Sequence, residues 1–179
     1  SAYRFQNSDP ILGIDHAKKS LSIALRSKEA LDDGLCYLCI GELYLTHKNG
    51  KKAVKYLEDA EKIFSSNKTS TSYYTTIRHL GPAYELAGKD KKALEYYQLF
   101  ESMANNEDDV VIAKNGIAST NISLGNIPES QMQYQQVFQI EQTRGNSSGY
   151  IKAATNLGNV YEIAYDTVTA LNYYDSSLN

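Results

Sequence analysis

Two cysteines, Cys36 and Cys39, are separated by two residues and are the first candidates for chemistry in this chain of 179 residues. A pair at this spacing serves redox exchange when a helix N-terminus beside a βαβ unit lowers the pKa of one thiol. Here both lie inside the apolar helical run 35–45, and no strand pattern surrounds them. A zinc site would need two further ligands at suitable spacing, and none is near. The pattern therefore favours ordinary packing inside a helix.

Histidines and carboxylates give two further candidates. His16, His47 and His79 do not stand at metal-ligand spacing from one another or from a cysteine. The acidic run 107–109 suggests a cation site, but it also suits a helix start, where carboxylates favour the positive end of the dipole. The sequence contains no glycine-rich phosphate loop, nucleophile elbow or His-Glu-x-x-His motif. We therefore expect a protein that is not an enzyme and has no catalytic residue, metal or cofactor.

Charge and hydropathy narrow the classes of partner. The formal net charge is −3 and the isoelectric point is about 5.6, so we expect no direct binding of nucleic acid, whose phosphates attract basic faces. No apolar run reaches the roughly 18 residues that a membrane span needs. Hydrophobic residues make up 42% of the chain, enough to bury a core. A cytoplasmic location is favoured, and an extracytoplasmic sensor region is the alternative.

Four segments of the chain share one spacing of small and large residues. The first set is Tyr37, Ile40, Gly41, Tyr44, Ala53, Leu57 and Ala60; the second is Ile77, Leu80, Gly81, Tyr84, Ala93, Tyr97 and Phe100; the third is Lys114, Ile117, Ala118, Asn121, Ser130, Tyr134 and Val137; the fourth is Ala154, Leu157, Gly158, Tyr161, Ala170, Tyr174 and Ser177. The first small residue of each set recurs after 40, 37 and 40 residues. The third set is degenerate, because Lys114, Asn121 and Ser130 replace apolar residues.

The spacing has a direct physical meaning. Ile40, Gly41 and Tyr44 fall on one helical stripe, and glycine in that stripe lets a second helix approach closely. This pattern resembles the tetratricopeptide repeat (TPR) family, in the long variety of about 40 residues seen in bacterial signalling and regulatory proteins. The resemblance implies an all-α fold, a right-handed α-solenoid of antiparallel helix pairs that forms a TPR-like superhelix.

The domain prediction is a single TPR-like repeat array over residues 1–179. It comprises a partial repeat at 1–30, repeats at 31–67 and 70–105, a degenerate repeat at 108–144 and a repeat at 147–179. Solenoid ends are usually covered by a polar capping helix, and the sequence after the last repeat shows none. We therefore expect the array to be a piece of a longer protein.

Residues at the predicted helix ends agree with this arrangement. Asn49, Asp90 and Asp166 stand where the second helix of a repeat should begin, and their side chains can cap its first turn. Gly88 and Gly125 stand just past first helices, where the chain often takes a left-handed conformation. We expect a tight turn between the two helices of each repeat.

The resemblance also implies where a ligand would lie. In this family the first helices line a concave face, whose exposed positions fall at −6, −3, +1 and +4 from the small residue. The candidate ligand contacts in this groove are Leu35, Leu38, Glu42, Leu45, Arg78, Glu85, Asn115, Ser119, Ile122, Lys152, Thr155, Asn159 and Glu162.

The predicted groove changes character along the chain. It begins with leucines that could hold apolar side chains, and it ends rich in amides and hydroxyls. Asn115 and Asn159 can donate and accept hydrogen bonds together, which suits an extended peptide backbone. Two alternatives stay open: the polar residues are ordinary solvated helix faces, and the leucines pack on a neighbouring helix or on a preceding repeat.

Pro82 falls inside a predicted first helix, where it removes the bond to the carbonyl of Arg78 and favours a kink. The kink would adjust the curvature of the array, or it would form a groove site in which the freed carbonyl and the Arg78 guanidinium lie together.

The function that we expect is binding of a protein or peptide segment by the sensing or interaction domain of a larger signalling or regulatory protein. The alternative is a structural scaffold for self-association or complex assembly, acting through the open ends of the solenoid.

Overall fold

The structure is a computed structural model, and it describes residues 13–16, 18–20, 22 and 30–178. The partial repeat predicted over 1–30 lies almost wholly outside these residues. The helices are α1 (Ala30–Thr46), α2 (Gly50–Phe64), α3 (Thr71–Leu86), α4 (Asp90–Met103), α5 (Glu107–Ser123), α6 (Ile127–Arg144), α7 (Ser147–Ile163) and α8 (Thr167–Leu178). They form sequential antiparallel pairs, and the predicted all-α, TPR-like fold class is confirmed.

The chain divides into two compact units, which we call unit 1 (residues 1–96) and unit 2 (residues 97–179), with the boundary inside α4. Their charges differ in sign. Unit 1 has fifteen Lys and Arg residues against twelve Asp and Glu, a formal charge of +3. Unit 2 has three Lys and Arg residues against nine Asp and Glu, a formal charge of −6. The net charge of unit 2 therefore attracts cationic ligands, and the net charge of unit 1 does not.

Glycine at the small position lets the two helices of a repeat touch. A Cβ added to Gly41 on α1 would lie 2.6 Å from Cγ of Leu57 on α2. One added to Gly158 on α7 would lie 2.3 Å from the Tyr174 ring on α8. Both distances are shorter than carbon atoms tolerate, so the close approach that the sequence predicts is present in both units.

The degenerate third repeat replaces part of its core with polar contacts. Asn121 is buried, but its Nδ2 donates to the carbonyl of Ile117 at 3.0 Å and its Oδ1 accepts from Asn126 at 3.1 Å. Lys114 on α5 lies 2.6 Å from Oε1 of Glu101 and donates to Gln136 at 2.6 Å. These contacts supply the partners that buried polar groups require.

A left-handed residue forms the turn between the two helices of each repeat. It is always the seventh residue after the small position. The φ angles are 54° at Lys48, 69° at Gly88, 80° at Gly125 and 62° at Tyr165. The predicted glycines therefore sit where only glycine is unstrained, while lysine and tyrosine take the same place in the first and fourth repeats. The caps also form as predicted at Asn49 and Asp166, which accept from the backbone N–H three residues on.

We expect Lys48→Gly to raise the free energy of unfolding by about 0.5–1 kcal/mol, because glycine relieves the left-handed strain at an exposed position. Urea unfolding followed by circular dichroism measures the change. Gly88→Ala at the equivalent turn is the matched control and should shift stability by a similar amount in the opposite direction. A loss of stability in Lys48→Gly would contradict the strain argument.

Candidate functional site

The cysteine pair lies within α1 as two free thiols, both partly buried. Burial raises the pKa of Cys39 to about 11. Burial, together with Asp32 and Asp33, also raises the pKa of Cys36. A reactive cysteine needs the opposite shift, because the thiolate is the nucleophile. The arrangement supports the packing interpretation of this pair.

The acidic run 107–109 opens α5, where Asn106 caps the helix by accepting from the backbone N–H of Asp109. Arg144 at the end of α6 lies 2.5 Å from Asp108 and 3.5 Å from Glu107. The hydrogen bond that Arg144 donates to Asp108 raises the pKa of the guanidinium. Among the residues that the structure describes, no three or more His, Cys, Asp and Glu side chains form a group that could hold a metal ion.

In unit 1 the candidate contacts on α1 differ in their exposure. Leu35 is 46% exposed, whereas Leu38 is 7% exposed and belongs to the core. The Glu42 side chain is 15% exposed, and its Oε1 lies 3.1 Å from Nε2 of His79 on α3. The remaining candidates of this unit are partly exposed: Leu45, Arg78 and Glu85. Leu38 and Glu42 therefore offer a ligand less surface than Leu35.

Helix α3 continues through Pro82 and ends at Leu86. Pro82 and Arg78 are both partly exposed. The two interpretations of this proline, curvature and groove site, both remain predictions.

In unit 2 an amide pair joins α5 to α7. Asn115 donates to the carbonyl of Val111 at 2.8 Å and accepts from Nδ2 of Asn156 at 3.2 Å. Each amide has a second N–H and a second lone pair, so Asn115 retains capacity for a ligand. The neighbouring candidates on α5, Ser119 and Ile122, are partly exposed.

The α7 candidates form the most open of these faces. Lys152, Asn159 and Glu162 are exposed, and the hydroxyl of Thr155 donates to the carbonyl of Ile151. The Tyr174 hydroxyl on α8 lies 2.8 Å from Oδ1 of Asn159 and 2.9 Å from Oε2 of Glu162. One hydroxyl proton serves one acceptor at a time. The other acceptor is then available to a donor from a ligand.

Stacked tyrosine pairs recur in three repeats. One ring comes from the place three residues after the small position and the other from the place fifteen residues after it. The centroids are 5.5 Å apart for Tyr44 with Tyr56, 5.2 Å for Tyr84 with Tyr96 and 5.5 Å for Tyr161 with Tyr173, with interplanar angles of 17°, 18° and 18°. Asn121 and Gln133 occupy these places in the third repeat. The pairs are offset-stacked aromatics of the kind that stabilise cores.

Two of these hydroxyls bind carboxylates of the preceding repeat in unit 1. Tyr84 donates to Oε1 of Glu58, and Tyr96 donates to Oε2 of Glu61 at 2.8 Å. Burial and the hydrogen bond to Glu58 raise the pKa of Tyr84 well above its usual range. Burial and Glu61 do the same for the pKa of Tyr96. Both phenols therefore stay neutral donors in the folded state.

Lysines cover the first ring of the pair in the first two repeats. The Lys52 ammonium lies 5.2 Å from the Tyr44 ring centroid, and the Lys92 ammonium lies 5.2 Å from that of Tyr84. Lys89 adds a second cation 5.7 Å from the Tyr84 centroid. These distances are within the range of cation–π attraction.

Sequence reasoning along the predicted stripe missed the tyrosine pairs, their lysines and the contact of Glu42 with His79. A signal for the tyrosines was present, since the chain has fifteen tyrosines and no tryptophan. Six of these tyrosines stand at the same two offsets from the small position. No comparable repetition marks His79.

No protein-family model and no curated protein matches the chain. Among solved structures, the nearly identical TPR-like repeats of a kinesin light chain from Podospora anserina match with a TM-score of 0.83 and 15% identity, over 98% of this chain and 89% of that one. BtubC (BKLC) from P. vanneervenii matches with a TM-score of 0.80 and 21% identity, over 97% and 74%.

A signal-transduction ATPase of the STAND class with a tetratricopeptide repeat sensor, from Pyrococcus horikoshii, matches with a TM-score of 0.75 and 17% identity. The match covers 96% of this chain and 28% of that one. None of the helices in the described part has the length and apolar character that crossing a bilayer requires. At these identities the likeness shows the fold alone, and the chain has the fold of a TPR-like repeat array.

Proposed function

We propose that this chain is a protein-interaction module that holds a peptide segment on the first helices of its repeats, and that it serves as the sensing or interaction region of a larger signalling or regulatory protein. The observation that carries the proposal is the α7 face. There Asn159 and Glu162 are exposed while the adjacent Leu157 and Val160 are fully buried. The helix thus presents polar side chains outward from a packed core.

The chemistry of this face suits an extended backbone. The Asn159 amide can pair with a peptide C=O and N–H at once, and the Asn115 amide on α5 retains one donor and one acceptor. Such backbone pairing gives affinity with little dependence on ligand sequence, and neighbouring side chains then add specificity. The sensor repeats of the STAND protein support the signalling part of the proposal by similarity of fold.

Peptide selection followed by titration tests the proposal. Peptides are selected from a random display library on the immobilised chain, and a selected peptide is titrated by calorimetry into the wild type and into Asn159→Ala. We expect affinity to fall about three- to tenfold, the value of one or two hydrogen bonds. Asn115→Ala should have a similar effect.

Asn172→Ala on α8 is the matched control, because Asn172 is an exposed amide on a second helix. It should leave affinity unchanged. Wild-type affinity in both Asn159→Ala and Asn115→Ala would remove the proposed groove.

A second candidate function is self-association, and the apolar face of α8 favours it. Val168, Leu171 and Leu178 are largely exposed and recur at helical spacing on one side of this helix. An exposed apolar helix face of this kind is a common site of association.

Sedimentation equilibrium of the wild type and of Leu171→Lys tests this candidate. Self-association predicts a wild-type mass that rises with concentration and a monomeric variant, because a buried unpaired lysine is costly at an interface. A wild type that stays monomeric over the whole concentration range would eliminate the scaffold role.

A further inference from the structure

The fourth repeat repeats the tyrosine stack of the first two but lacks the lysine that accompanies it. Lys52 and Lys92, which lie over Tyr44 and Tyr84, both stand eleven residues after the small position. The equivalent residue in the fourth repeat is Thr169. The ring geometry is nevertheless the same, because Tyr161 stacks on Tyr173 at 5.5 Å and 18°. The two rings are thus arranged as in the other repeats, while Thr169 stands at the sequence position that Lys52 and Lys92 occupy there.

The first ring of the pair is more exposed in the fourth repeat than in the two repeats that have the lysine. Tyr44 and Tyr84 are 6% and 1% exposed, whereas Tyr161 is only partly buried. Tyr161 stacks on Tyr173 and packs against the core cluster around Leu157 and Val160, so a further group can approach only the part of its ring that stays exposed. The electron-rich face of tyrosine attracts cations.

A carboxylate takes the place of the second lysine. Lys89, eight residues after the small position, lies over Tyr84 in the second repeat, and the equivalent residue in the fourth is Asp166. The backbone N–H of Asp166 donates to the carbonyl of Tyr161 at 2.9 Å, which holds the two residues together. Hydrogen bonds from the Thr169 side chain and backbone lower the pKa of Asp166, so its carboxyl is ionised at neutral pH.

The surrounding charge also favours a cation from outside. Unit 2 has only three basic side chains, and two of them contact carboxylates: Lys114 lies 2.6 Å from Glu101, and Arg144 lies 2.5 Å from Asp108. The third, Lys152, stands nine residues before Tyr161 near the other end of α7, so it does not share the turn that holds Asp166. With a formal charge of −6, the unit attracts basic ligands.

We propose that the Tyr161 ring and the Asp166 carboxylate bind a lysine or arginine side chain of the partner segment, which takes the position that Lys52 and Lys92 fill in the first two repeats. The inference rests on the proposed function, since it names a feature of the peptide that the module would hold. It adds a site at the turn between α7 and α8, apart from the groove amides Asn159 on α7 and Asn115 on α5. The partner would carry a basic residue beside the stretch that pairs with those amides.

NMR titration of the whole chain with two blocked tripeptides tests the site. The probe is Gly-Lys-Gly, and its control replaces lysine by norleucine, which keeps the aliphatic stem and removes the charge. We expect the ring signals of Tyr161 and Tyr173 to shift with the lysine peptide and to shift at least about threefold less with the norleucine peptide at equal concentration. Equal shifts with both peptides, or no shift with either, would overturn the proposal.

Two variants sharpen the result. Thr169→Lys places a lysine of the chain where Lys52 and Lys92 stand and should abolish the shifts, whereas Thr169→Gln adds a long uncharged side chain and should largely preserve them. Asp166→Asn keeps a residue that can cap α8 and should weaken binding about three- to tenfold. Retention of the full lysine response in both Thr169→Lys and Asp166→Asn would contradict the site.

The two proposals fail in different ways. Asn159→Ala removes a groove amide and should leave the lysine response of Tyr161 intact, because the two side chains belong to separate sites. If the tripeptide response is absent while Asn159→Ala still weakens a selected peptide, the cation site fails and the groove stands. If the tripeptide response is present and lysine-specific while the groove variants bind normally, the groove fails and the cation site stands.

Discussion

Replacement of Gly50 by alanine is expected to lower the free energy of unfolding by about 3 kcal/mol. Gly50 is the first residue of α2, and a Cβ added there would lie 2.4 Å from the carbonyl carbon of Leu86 and 2.5 Å from the backbone nitrogen of Ala87. These are backbone atoms at the end of α3, which no side-chain rotation can move away. The last turns of α3 are themselves held by Ala83 and Tyr84, which are buried. The start of α2 would have to separate from the end of α3.

The sign of this effect opposes the intrinsic preference of a helix. Alanine is favoured over glycine in a helix by about 1 kcal/mol, so an uncrowded site would gain stability. Urea unfolding of Gly50→Ala and of Lys51→Ala separates the two cases, because Lys51 is the exposed next residue of the same turn. Lys51→Ala should stay within about 0.5 kcal/mol of the wild type. A Gly50→Ala variant as stable as the wild type would show that α3 yields at this contact.

The fold could be predicted from the sequence because its contacts recur. Gly41, Gly81 and Gly158 mark the close approach of paired helices, and the caps at Asn49 and Asp166 mark where the second helix begins. The spacing of small and large residues in one segment would be too weak to predict the fold, but its recurrence in four segments is sufficient. Gly50 shows the limit of this reasoning. Its contact is with the following repeat, and the equivalent positions carry Asp90, Ile127 and Thr167 instead of glycine, so no periodicity reveals it.

The candidate site was less predictable. The offsets from the small position select residues on one helix, but they do not show which neighbouring helices cover those residues. The offset that selects Leu38 and Glu42 does not show that Leu38 is buried in the core or that Glu42 contacts His79. Exposure depends on what the adjacent repeat places beside each residue. On α7 the same offsets select Asn159 and Glu162, which are exposed. The third repeat shows the same limit. In the sequence, Lys114 only departs from the apolar pattern, whereas in the structure it contacts Glu101 and Gln136.

The stability of the protein is expected to fall steeply above about pH 10, by about 1.4 kcal/mol per pH unit for each of Tyr84 and Tyr96. Burial and the carboxylates Glu58 and Glu61 raise the pKa of these phenols in the folded state. In the unfolded chain their pKa returns to about 10. Between pH 10 and the raised folded values, the unfolded state has lost a proton that the folded state keeps. Their contribution to stability is therefore complete below pH 10 and is lost as the pH rises through this window.

Urea unfolding at a series of pH values from about 9 to about 11 measures the slope. The variant carrying both Tyr84→Phe and Tyr96→Phe should be less stable at neutral pH, because it loses two hydrogen bonds to carboxylates. Its stability should nevertheless fall less steeply with pH, and the two curves should converge as the pH rises. Tyr165→Phe is the matched control, because Tyr165 is 94% exposed and its replacement should leave the slope unchanged. Equal slopes in the wild type and the double variant would mean that other groups cause the alkaline loss, and that the hydroxyl pairs of Tyr84 with Glu58 and Tyr96 with Glu61 contribute no pH-dependent stability.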